Sequence, residues 1–122
     1  MSVYRMQLAY TSEAWSALLK APEDRAKVAR SLAQSLGGES LGFWLSLGDY
    51  DVVALFDLPD QMSVAALNMA VSAGGAIRDA KTTPLMSTDE ALRAMTKAQT
   101  VEYSPPAAMW SARTAWSEPS GG

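Results

Sequence analysis

The chain has 122 residues, 10 Lys+Arg against 13 Asp+Glu for a formal charge of -3, and neither cysteine nor histidine. One domain of this size buries roughly two-thirds of its unfolded-chain surface and needs no staples, while its charge supplies no cationic field for nucleic acid or anionic lipid. The missing residue types exclude disulfides, thiolate nucleophiles and cysteine-ligated metals, and remove the commonest general base and metal ligand, so neither a metal nor a cofactor is expected.

The opening residues, MSVYRMQLAY, do not read as a secretory leader, and no apolar run approaches the ~20 residues that span a bilayer. A soluble cytoplasmic protein is expected. Val3 to Tyr10 alternates, with Tyr4, Met6, Leu8 and Tyr10 on one side and Val3, Arg5, Gln7 and Ala9 on the other, the period of a strand with one buried face. Thr11 and Ser12 offer an N-cap to SEAWSALLK, a short helix that Pro22 ends. Pro22, Glu23 and Asp24 then start a second helix that runs to Gly37 and Gly38. Its stripe is Ala26, Ala29, Leu32, Ala33 and Leu36.

Ser40 to Leu47 and Asp51 to Leu58 read as strands, and Gly48, Asp49 and Tyr50 between them as the turn of a β-hairpin. Asp60 caps a helix over QMSVAALNMAVSA, with Met62, Ala65, Ala66, Met69 and Ala70 at helical spacing and Gly74-Gly75 as its stop. Ala76 to Thr83 is the fourth strand, and Thr88, Asp89 and Glu90 open a last helix. The order is βαββαβ plus a terminal helix. It predicts an α+β, ferredoxin-like fold: four antiparallel strands with both main helices on one face. We place this domain at residues 1–98 and an extended tail at 99–122, rich in Pro, Ser and Gly, whose Trp110 and Trp116 are unusual in a free segment.

The stretch LGDYDVV, Leu47 to Val53, resembles the signature of the GYD-domain family, small ferredoxin-like proteins of largely uncharacterised activity. The similarity extends to Phe43-Trp44, to LPD at Leu58 to Asp60, to VSAGGAI at Val71 to Ile77 and to KTTPLMS at Lys81 to Ser87. The resemblance implies kinship with dimeric α+β barrels, in which the open sheet faces of two protomers enclose a cavity. It transfers no catalytic residue.

Two groups of residues are candidates for chemistry. Asp49, Tyr50 and Asp51 offer two carboxylates and a phenol, a pattern that can hold a cation or move protons. The alternative is structural: Gly48 and Asp49 turn the chain, Tyr50 caps the sheet end and Asp51 bonds the turn backbone. The second group is the open sheet face, where alternation gathers Arg5 and Gln7 with Trp44. Asp57 and Lys81 join them if their strands have the right phase. Such a face suits a small anionic or aromatic organic ligand, or a dimer interface whose charges pair across a twofold axis.

Trp15 reads as a core or interface anchor, and Met62, Met69, Met86 and Met95 as flexible core filler. Three functions remain open at this level. They are a homo-oligomeric small-ligand binding or accessory protein with a pocket at the open face, a cofactor-independent monooxygenase or isomerase, and an assembly module that docks through Trp110 and Trp116 of its tail.

Overall fold

A computed structural model describes residues 1–108, so Trp110 and Trp116 lie outside the described residues. The chain runs through β1 (Ser2–Tyr10), α1 (Ser12–Lys20), α2 (Arg25–Ser35), β2 (Glu39–Leu45), β3 (Val52–Leu58), α3 (Gln61–Ala73), β4 (Ile77–Leu85) and α4 (Thr88–Ala98). It divides into two compact units, one of Met1–Met86 and one that begins at Ser87. In the first, four strands form one antiparallel sheet in the order β2-β3-β1-β4, the arrangement the element order predicts.

Alternation decides which side of this sheet is covered. Met6, Leu8 and Tyr10 of β1 and Val52, Ala54, Phe56 and Leu58 of β3 are buried, and they share a core with Ala29 and Ala33 of α2 and Val64 and Leu67 of α3. Met6, Leu58, Leu67 and Val52 are the largest fully buried side chains. Each contributes roughly 1.5–3 kcal/mol by leaving water. Trp15 packs edge-on against Tyr10, with ring centroids 5.2 Å apart and planes at 86°, so the structure gives it a core role.

Local chemistry sets the element ends. Thr11 caps α1 by accepting from the Ala14 N–H at 3.1 Å. The start of α2 is later than expected: Pro22 stays outside, and Asp24 is the cap, accepting from the Ala26 N–H at 3.0 Å. At its other end Gly38 N–H donates to the Ala33 carbonyl and Gly37 N–H to that of Gln34, a Schellman motif in which Gly37 takes the left-handed φ of 78°.

β4 continues through Pro84 to Leu85, past the expected stop at Thr83. It is an edge strand, where a proline can leave its missing N–H toward solvent.

The face of α3 is also different from expectation. Val64 and Leu67 are buried and Val71 packs against them, whereas Met62 and Met69 are 80% and 71% exposed. Apolar residues surround this helix, so spacing alone selects no unique stripe, and the sheet selects the branched residues. Met86 and Met95 are exposed as well, so these four methionines are surface residues rather than core filler.

In the second unit, α4 is capped by Ser87, whose hydroxyl accepts from the Glu90 N–H at 3.1 Å and reaches the Glu90 carboxylate at 3.3 Å. The hydroxyl thus caps the first turn while its own proton goes to the Glu90 carboxylate. Leu92 and Met95 of α4 are exposed.

Candidate functional site: a groove on the open sheet face

The face turned away from α2 and α3 carries the odd-numbered residues of β1 and β3. Register sets their neighbours: Trp44, Val53, Gln7 and Lys81 form one row across all four strands, and Gly42, Leu55, Arg5 and Thr83 form the next. The same pairing places Asp57 opposite Val3 and Glu39, on this face as well. A bulge in β2 at Leu41 gives Trp44 this phase, because Ser40 pairs with Phe56 but Gly42 with Leu55. Asp57 and Lys81, whose face the sequence leaves undecided, are therefore both on the open side.

An open groove of about 420 Å³ crosses this face at its hairpin end. Arg5, Gln7, Tyr50 and Lys81 line it together with Val53 and the turn segment Ser46–Asp49. The hairpin turn and the open face, separate candidates in the sequence, are thus walls of one site. Trp44 stands in the row of Gln7 and Lys81 but does not line the groove, and Asp57 is four residues along β3 from Val53, roughly 13 Å at the rise of a strand.

The turn is held from three sides. Ser46 N–H donates to the Asp51 carbonyl and Ser46 Oγ to the Tyr50 carbonyl, at 2.8 and 2.7 Å. Asp51 N–H donates to the Leu8 carbonyl at 2.8 Å, and Asp51 Oδ2 accepts from the Tyr10 N–H at the same distance. The Asp51 carboxylate therefore braces β1 rather than its own turn, and that use leaves it outside the groove. Gly48, at φ 145°, supplies the conformation that side chains rarely adopt.

Electrostatics in the groove are mixed. Arg5 and Lys81 bring two cations, and Arg5 Nη2 reaches the Thr83 hydroxyl at 3.5 Å. Partial burial first, and then the negative charge and hydrogen bond of Asp79, raise the Tyr50 phenol above its ordinary pKa of 10.0. At neutral pH this phenol is a hydrogen-bond donor, not a base. Two polar atoms of the face, Arg5 Nε and Asp57 Oδ1, are shielded from solvent and have no hydrogen-bond partner among the described residues. No cluster of metal-ligating side chains occurs among the described residues.

Ser46, Leu47 and Val53 complete the groove without having been singled out as site residues by the sequence. The alternation of Ser46 with Trp44 carries a signal for Ser46 alone. Nothing local marks Leu47, which is fully exposed beside the turn.

The chain resembles an uncharacterised NIPSNAP domain protein from Burkholderia xenovorans, at 15% identity and a TM-score of 0.46 over 71% of this chain and 94% of that one. It also resembles a structural-genomics target from Agrobacterium tumefaciens, at 16% identity and a TM-score of 0.45 over 70% and 92% of the two chains. No curated protein gives a match. None of the helices in the described residues is long and apolar enough to cross a membrane. The family model of the GYD domain matches residues 4–95, three-quarters of the sequence and all four strands, and the chain therefore belongs to the GYD-domain family.

Proposed function

We propose that this GYD-domain protein is a cytoplasmic, homo-oligomeric protein that binds a small anionic or aromatic organic molecule in the open-face groove. The carrying observation is that Arg5, Gln7, Tyr50 and Lys81, from three separate segments, line one groove of about 420 Å³. Two cations orient an anion, while the Gln7 amide adds directional hydrogen bonds. A phenol with a raised pKa favours binding over proton transfer, since it holds its proton throughout the neutral range.

Homo-oligomerisation has its own support. Arg5 and Asp57 stand on the same face, diagonal to each other across β1 and β3, yet among the described residues neither completes its hydrogen bonds. A buried polar atom without a partner costs about 1–3 kcal/mol. A second copy seated on this face across a twofold axis roofs the groove and gives both side chains a partner once they turn outward to pair between copies.

Calorimetric titration of the full chain with benzoate, salicylate, phenyl phosphate and inorganic phosphate tests the binding, and light scattering tests the assembly. Binding of at least one anion, weakened tenfold or more by Lys81→Met, is expected from a dimer. A monomer that binds none of the four anions overturns the proposal.

A further inference from the structure

The helix side of the sheet holds a second cavity, separate from the open-face groove. Its volume is about 290 Å³, and it is partly open to solvent. Small residues create it: Ala29 of α2, Ala70 and Gly74 at the end of α3 and Ala54 in the middle of β3 all face it. α2 rests on β2 and β3 and α3 on β3 and β4, so each helix grips the sheet more than it grips the other.

One end of the cavity is chemically different from the rest. Tyr10 and Arg25 bring the phenol and the guanidinium, the polar side chains among the described residues that line it, and they lie beside each other. Glu23, on the exposed side, holds Arg25 Nη1 at 2.6 Å and so fixes the guanidinium at this end. Tyr10, Arg25 and Phe43 also line an outer depression of about 430 Å³ with Trp15 and Leu18. These three side chains line both spaces.

We infer that this cavity binds a small aromatic carboxylic acid, its ring system between α2 and α3 and its carboxylate against Arg25 and the Tyr10 hydroxyl. An apolar cavity of ~150 Å³ in another protein takes up benzene, so this one has room for two fused rings. The guanidinium supplies a charge-assisted, two-pronged contact that a neutral end group does not receive. The inference does not depend on the open-face groove, which lies on the opposite side of the sheet.

The test is calorimetric titration of the full chain with 2-naphthoate and with its neutral amide. The acid is expected to bind at least tenfold more tightly. Arg25→Met is expected to abolish that preference while sparing the amide, and Ala29→Phe, which fills the cavity, to abolish both. Independently of any variant, the methyl resonance of the buried Met6, which lines the cavity, is expected to shift under the naphthoate ring current while exposed Met62 and Met69 stay in place. No binding of 2-naphthoate, binding without movement of the Met6 methyl, or a preference for the acid that survives Arg25→Met overturns the inference.

Discussion

Asp51 Oδ2 accepts the Tyr10 N–H at 2.8 Å at the step where β1 changes register against β4. This N–H points to the β3 side, where the strand begins only at Val52, and the Asp51 side chain just ahead of that strand satisfies it. Asp51→Ala leaves a part-buried donor unpaired and is expected to cost about 1–3 kcal/mol. Asp51→Asn keeps an acceptor oxygen and should lose less. Urea unfolding of both variants checks the order.

Trp44 lies over Gly42. A Cβ built at Gly42 would stand 2.2 Å from the indole Cη2, so the indole occupies space that a larger residue would claim. Gly42→Ala is expected to displace the ring, with loss of near-ultraviolet circular dichroism and little loss of stability, because the obstacle is a side chain 53% exposed. In a Trp44→Ala background the same change should stabilise by about 0.5 kcal/mol, as alanine is better than glycine inside a strand. Equal effects in both backgrounds would refute the contact.

Gly37 and Gly38 are adjacent but needed for different reasons. Gly37 has φ 78° with only Pro59 Cγ near its missing Cβ, at 3.9 Å, so Gly37→Ala is expected to cost about 1 kcal/mol in backbone strain. At Gly38 a Cβ would sit 2.2 Å from the Asp57 carbonyl oxygen, a backbone atom of β3 that cannot turn aside. Gly38→Ala should therefore cost more, about 3 kcal/mol. Thermal melts of the two variants decide it, and equal destabilisation would contradict the close approach.

Asp60 couples stability to acid. The Ser63 hydroxyl and N–H donate to its Oδ1 at 2.7 and 2.8 Å and hold its carboxyl below the ordinary 3.8. A group whose folded-state pKa is depressed stabilises above the unfolded value and loses that contribution as pH falls through the folded one. Asp60→Asn caps the helix without titrating. The advantage of the wild type over this variant is expected to be constant at neutral pH and to shrink below pH 3.8, as followed by urea midpoints across an acid series.

Strand faces were legible in the sequence wherever alternation was regular. Met6, Leu8 and Tyr10 separate cleanly from Arg5 and Gln7, since a strand's period of two leaves no other assignment. Caps at Thr11 and Asp60 were equally plain, because an oxygen just ahead of a helix can satisfy its free N–H groups. Legibility ended where a helix is apolar all round, as in α3, whose exposed Met62 and Met69 read as well for the core as Val64 and Leu67 do. It ended also at Asp57 and Lys81, since a one-residue shift in phase turns a side chain through the sheet.

By itself the sequence determined the order of the elements, the antiparallel sheet, the hairpin at Gly48 and membership of the GYD family, because periodicity, turn residues and caps act over a few neighbouring positions. Only the tertiary structure decided that Arg5, Lys81 and the hairpin turn meet in one groove, that Asp51 braces β1, and that small residues on two helices leave a cavity beside Arg25. Those relations depend on pairing between residues more than 40 positions apart, as between Tyr10 and Asp51, and on the space left when helices settle on a sheet. Local preferences carry no record of either.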